Sequence, residues 1–232
     1  MKLGTILMSL MAIAWLGACS DSTDPEPVDS DLRGQVVDVQ GQPVAGAKVV
    51  LQYQVDPPLD GLYDKPATAI RMDLPPTGPV TLWISSFCDT DTVRMILDGE
   101  SSGQSQILWD GKDDAGRTMP DGVYRFNLVT TAGESHGPFL LLHLGYQLPE
   151  AATLAPLAVT DARGRFTLSQ ACLPLGFVMD VVNEVGEITG IMTITRNVRV
   201  WTYDPQSSIL DTGPLVTIDP EIGAEVSVTI GD

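Results

Sequence analysis

Basic residues are scarce. Against 30 Asp and Glu the chain has 13 Lys and Arg, a formal charge of −17, and a field of that sign repels phosphate backbones and anionic lipid surfaces. Nucleic acid is therefore excluded as a partner, and any hold on a membrane has to come from a dedicated anchor. Histidine is scarcer still, with only His136 and His143. The sequence contains no HExxH, no nucleophile elbow and no phosphate-binding glycine loop, so the usual residue sets for metal-assisted, acyl-transfer and phosphoryl-transfer chemistry are missing. The chain reads as a non-enzyme without a cofactor. An apolar run long enough to span a bilayer is also lacking. Residues 3–16 are apolar apart from Gly4, Thr5 and Ser9, short of the ~20 residues a spanning helix needs, and no positive cluster follows to stop transfer.

What is present suits a folded β protein. Hydrophobic residues make up 44%, and 17 Pro with 22 Gly among 232 residues favour short strands joined by many turns. The length suits one large or two ordinary domains. The apolar start follows Lys2 and ends in Leu16-Gly17-Ala18-Cys19, a pattern that resembles the lipobox of bacterial lipoproteins. The resemblance implies that residues 1–18 are a cleaved signal peptide and that Cys19 is acylated on its thiol and its new amino terminus; a secretory signal with ordinary cleavage is the second reading. A single acyl chain, at ~0.8 kcal/mol per buried methylene, holds a protein only marginally, whereas two or more hold it stably. Ser20 after the cysteine, read by the same resemblance, favours the outer membrane. Residues 19–31 then comprise the acylated cysteine and an acidic, proline-containing tether, SDSTDPEPVDSD, from which no core can be built.

From Leu32 the pattern becomes short β-type runs around a Gly/Pro turn, GQVVDVQGQPVAGAKVVLQ, a hairpin signature. The string is similar to the first hairpin of carboxypeptidase regulatory-like domains, which are transthyretin-like β-sandwiches. The segment expected next in that family appears about a hundred residues later, as Thr160-Asp161-Ala162-Arg163-Gly164-Arg165-Phe166 followed by Leu173-Pro174-Leu175-Gly176. Between them, WDGKDDAGRTMPDGVYRF (residues 109–126) resembles the immunoglobulin-like domain of the flagellar hook-capping protein. The fold expected is therefore all-β, with two β-sandwiches after the signal peptide. A discontinuous transthyretin-like sandwich takes residues 32–56 and 152–232, and an immunoglobulin-like domain is inserted at 60–148. Two consecutive domains followed by an unrelated tail is the other arrangement the pattern allows. Residues 188–203, ITGIMTITRNVRVWTY, read as one strand or a bent pair.

Few side chains stand out as sites. Cys88 and Cys172 remain once Cys19 is lipidated; they either bridge the two domains or stay as separate buried thiols, and a bridge requires Cα atoms within ~7 Å. Asp89 and Asp91, with Asp110, Asp113 and Asp114, are oxygen donors of the kind calcium takes. Their spacing matches no calcium loop, and Asp with Gly is ordinary turn chemistry. Trp201 and Tyr203 fall on one side of a strand, so that face is either buried or a binding patch. Trp109 and Tyr124 belong to the inserted core, and His143, flanked by leucines, reads as a structural histidine. The function these features imply is a membrane-anchored, non-catalytic envelope lipoprotein whose body serves binding, adhesion or assembly. The alternative is a carbohydrate- or calcium-binding accessory of an uptake or surface-degradation system.

Overall fold

The computed structural model describes residues 31–58, 68–71, 74–88, 91–103, 106–143, 146, 148–182 and 188–231. The signal-peptide and tether expectations for residues 1–30, including Cys19, fall outside them, as does Asp89. Among the described residues no helix is long and apolar enough to cross a membrane.

The chain is all-β. Strands β1 (Leu32–Asp38) and β2 (Lys48–Asp56) come first. Six strands follow: β3 (Thr68–Arg71), β4 (Pro79–Ser86), β5 (Thr92–Glu100), β6 (Gln106–Trp109), β7 (Gly122–Thr130) and β8 (Gly133–Leu141). A short helix α1 (Leu148–Thr153) leads back to β9 (Ala158–Val159), β10 (Arg165–Leu168), β11 (Val178–Val182), β12 (Ile188–Asp204), β13 (Ile209–Thr217) and β14 (Ala224–Ile230).

Strand pairing separates two bodies. One sheet runs β10-β1-β14 and another β11-β12-β2-β9, with β13 also on β12. β1 is antiparallel to β10 and parallel to β14. These sheets pack face to face: Leu32, Val36, Phe166 and Val228 from the first meet Val49, Leu51, Ile194 and Val200 from the second in one buried cluster. The intervening strands make sheets of their own, β5-β4-β7-β8 and β3-β6. Among the described strands, those that precede residue 57 thus share sheets only with strands that follow residue 157.

Turn residues explain the hairpin ends. Asp38 Oδ1 accepts the N–H groups of Gln40 and Gln42 at 2.9 and 2.8 Å, and Asp161 Oδ1 accepts those of Arg163 and Arg165, both at 2.8 Å; each is a side chain closing its own turn. Gly164, between them, has φ +70°, and a Cβ there would lie 2.3 Å from the Val36 carbonyl oxygen. Only glycine fits that approach.

Continuous apolar runs mark strands buried on both faces. In β2, Val49, Leu51 and Tyr53 face the sandwich core, while Val50 packs on its other side with Tyr146 and Leu154. In the Phe139–Leu142 run, Phe139 and Leu141 enter the core of the intervening body with Trp109 and Tyr124, and Leu140 and Leu142 turn outward against the sandwich. The stretch read as one strand or a bent pair is a single 17-residue strand, β12. Its register shifts between Ile194 and Val198 against β2, and between Arg199 and Trp201 against β13. Bulges at these shifts let one strand serve three neighbours by increasing its local twist.

Candidate functional site

The two bodies meet along β2. Its pairing with β9 covers only Lys48 and Val49, so beyond Val49 this edge needs other partners for its polar groups. Tyr146 supplies one, with its hydroxyl 3.1 Å from the Leu51 carbonyl oxygen. The same hydroxyl accepts the Asp121 N–H at 2.9 Å and lies 3.2 Å from Asp121 Oδ1. Asp121 in turn binds His143 twice, through the His143 N–H at 2.8 Å and ring Nδ1 at 2.6 Å. Gln52 completes the seam, donating to the His143 carbonyl at 3.3 Å while accepting the Trp201 indole N–H at 3.1 Å.

The Asp121 and His143 side chains are 0% and 2% exposed. Burial drives the Asp121 carboxyl above the ordinary aspartate value, and the His143 imidazole, the His143 N–H and the Tyr146 hydroxyl pull against that rise. Burial likewise raises the phenols of Tyr53, Tyr124 and Tyr146, with the nearby Asp121 carboxylate reinforcing the effect. Each phenol therefore stays protonated and available as a donor. Asp121 Oδ2 and His143 Nε2 are enclosed and make no hydrogen bond among the described residues. A general base must present its free nitrogen to substrate or water. His143 does not, so the group acts as a clamp between the two bodies.

A covalent link lies beside this clamp. Cys88 and Cys172 are disulfide-bonded, with Cα atoms 4.8 Å apart, and both residues are exposed. Phe87 and Phe177, one from each body, meet edge to face at 5.7 Å. A 200 Å³ cavity lined by Ser86, Phe87, Met119, Leu157 and Pro174 adjoins the bridge. A second concavity, of 530 Å³, lies over Arg33, Gln35, Arg165, Glu225 and Ser227 on the outward face of β10-β1-β14.

The remaining residues singled out from sequence do not converge. Among the described residues no three His, Cys, Asp or Glu side chains gather as a metal site. Asp110 accepts the Lys112 N–H at 3.1 Å, Asp113 binds the Arg117 N–H and guanidinium, both at 2.7 Å, and Asp114 accepts the Met95 N–H at 3.2 Å. Each is engaged in a turn or strand edge, while Asp91 is exposed on the surface. Burial would raise the Asp113 carboxyl, but the Arg117 N–H and guanidinium and the Ala115 N–H outweigh it and hold the group below the ordinary value. Trp201 and Tyr203 do not form an open stacking face. Tyr146 meets the Trp201 ring edge to face at 5.7 Å, and Tyr203 is 6% exposed with Nζ of Lys48, on β2, 5.8 Å from its ring. Lys48 also donates to the carbonyls of Ala152 and Leu154, both at 3.0 Å, which ties the end of α1 to β2. Trp109 and Tyr124 sit together in the intervening core, with ring centroids 5.0 Å apart and the Trp109 indole N–H on the Lys112 carbonyl at 2.7 Å. His136 lies on β8, exposed and away from this core.

Sequence reasoning passed over Asp121, Gln52 and Tyr146. The one signal for Asp121 was its place before Gly122-Val123-Tyr124, where it reads as an ordinary turn aspartate.

Residues 76–134 match the family model of the FlgD Ig-like domain, a span that covers β4 through β7 and reaches the start of β8. The intervening body is thus an immunoglobulin-like domain resembling that of the flagellar hook-capping protein. No curated protein and no solved structure matches the chain.

Proposed function

We propose that the chain is an exported lipoprotein of the bacterial envelope, cut before Cys19, held by acyl chains on that residue in the outer membrane, and serving as a non-catalytic module for binding, adhesion or assembly. The anchor in this reading rests on the Leu16-Gly17-Ala18-Cys19 run, and the observation that supports a binding or assembly module is the double fastening of the two bodies. The Cys88–Cys172 bridge and the enclosed Asp121–His143–Tyr146 clamp fix the immunoglobulin-like domain against β2. A body held at one angle presents a constant surface to a partner, as binding and assembly require. In this reading the outer strands form a carboxypeptidase regulatory-like sandwich, residues 32–56 and 152–232, interrupted by the immunoglobulin-like domain at 60–148. Residues 20–31 hold both off the lipid surface. The carbohydrate or calcium alternative loses support because Trp201 and Tyr203 are covered and Asp110, Asp113 and Asp114 are spent on turns and strand edges.

The test is Cys19→Ser in the native host. Incorporation of labelled palmitate and partition into the detergent phase should both be lost. Unchanged labelling and partition would overturn the reading.

A further inference from the structure

Two of the exposed apolar side chains of the sandwich, Val178 and Ile191, lie together where β11 and β12 run past the end of β2. Pairing of β12 with β2 begins at Thr193↔Asp56, whereas its pairing with β11 extends from Val178↔Thr193 to Val182↔Ile188. Among the described strands the outer part of this hairpin is therefore a two-stranded ribbon with β11 at the sheet edge. One face of the ribbon turns inward, with Met192 buried. The other carries Val178 at 56% exposure and Ile191 at 60%, and Asp180 lies directly across from Ile191.

The outer edge of β11 also has backbone groups to offer. Ile194 N donates to Phe177 O at 2.9 Å. Antiparallel alternation then turns the N–H and C=O of Val178 and Asp180 away from β12, and among the described strands none pairs with that edge. An edge with an apolar face and unpaired backbone groups is a template for an added strand.

Charge decides what occupies it. Pairing the whole of β11 with its own copy about a two-fold axis sets Asp180 against Asp180, and like charges directly opposite destabilise a ladder. The net charge of −17 adds general repulsion between copies. Asp180 thus guards the edge against self-association without barring a strand that places a cation opposite it. We infer that β11 is a docking edge for an extended segment of a partner protein, in which a basic residue flanked by alternating apolar residues pairs across from Asp180. This deepens the reading of the chain as a binding module and rests on it.

The probe is a short peptide of alternating valine and threonine with a central arginine, titrated into the isotopically labelled full-length protein in detergent micelles. The amide resonances of Val178 and Asp180 should shift, and N-methylation of alternate peptide amides should abolish the shift. Asp180→Arg, a change at an exposed position, should weaken the arginine peptide by about tenfold and favour the same peptide with a central glutamate, as expected for reversing a cross-strand charge pair. Equal binding of the arginine and glutamate peptides by the unaltered protein, shifts confined to other strands, or no binding would each overturn the assignment of β11. None of these results bears on palmitate labelling, so failure of the docking edge stays distinguishable from failure of the lipoprotein reading.

Discussion

Replacing both Cys88 and Cys172 with serine removes the covalent fastening between the two bodies and leaves their packing in place. Both positions are exposed, so the hydroxyls meet solvent and bury no unsatisfied group. The cost then comes from the unfolded chain, which regains the freedom of a closed loop. With a sequence separation of 84, the chain-entropy relation gives about 4–5 kcal/mol at 25 °C. A loss of that size is a large part of the ~5–15 kcal/mol that holds a typical domain folded. The assay is urea unfolding of the oxidised protein and the double variant, followed by tryptophan fluorescence. Trp109 lies in the intervening core and Trp201 packs at the junction, so the signal reads both bodies. The unfolding midpoint should fall by an amount equivalent to ~4 kcal/mol. A difference below ~1 kcal/mol would refute the claim that the bridge restrains the unfolded chain across the two bodies.

Asp121→Asn keeps the acceptor for His143 and Tyr146 but places an amide where Oδ2 has no partner among the described residues. It should cost about 2–4 kcal/mol in urea unfolding, and a loss under ~0.5 kcal/mol would show that the clamp is slack. Arg117→Ala removes the guanidinium that helps hold Asp113 below the ordinary aspartate value. A carboxyl depressed in the folded state stabilises above its unfolded pKa and loses that contribution as pH falls through the folded value. The variant should therefore be less stable by about 0.5–1 kcal/mol at neutral pH and should converge with the parent in acid, as pH-resolved melting will show. Gly164→Ala forces a Cβ to within 2.3 Å of the Val36 oxygen at φ +70°. It should cost about 1–3 kcal/mol, and an unchanged melting temperature would contradict the turn geometry.

Local features were legible in the sequence because they rest on local chemistry. The turn around Gln40 to Pro43, the Thr160 to Phe166 segment and the Trp109-Asp110-Gly111 corner each consist of residues whose side chains close their own turns. The aromatic core of Trp109 and Tyr124 followed from strand patterning, as did the structural character of His143. The partner of His143 did not follow, because Asp121 lies 22 residues away and only the meeting of β7's start with the end of β8 joins them. Tyr146 was illegible for a related reason: its role depends on β9 leaving the edge of β2 uncovered after Val49, a fact of topology. The fate of Trp201 and Tyr203 turned on the same event. Strand alternation puts them on one side, but it does not say that Tyr146 will pack on Trp201 or that Lys48 will lie against Tyr203.

The most direct test of the account is the mass of the amino-terminal peptide of the protein isolated from envelopes of its native host. A peptide that begins at Cys19 and carries a thioether-linked diacylglycerol with a further acyl group on its amine is what the account predicts. A peptide that begins elsewhere, or begins at Cys19 without lipid, would contradict it.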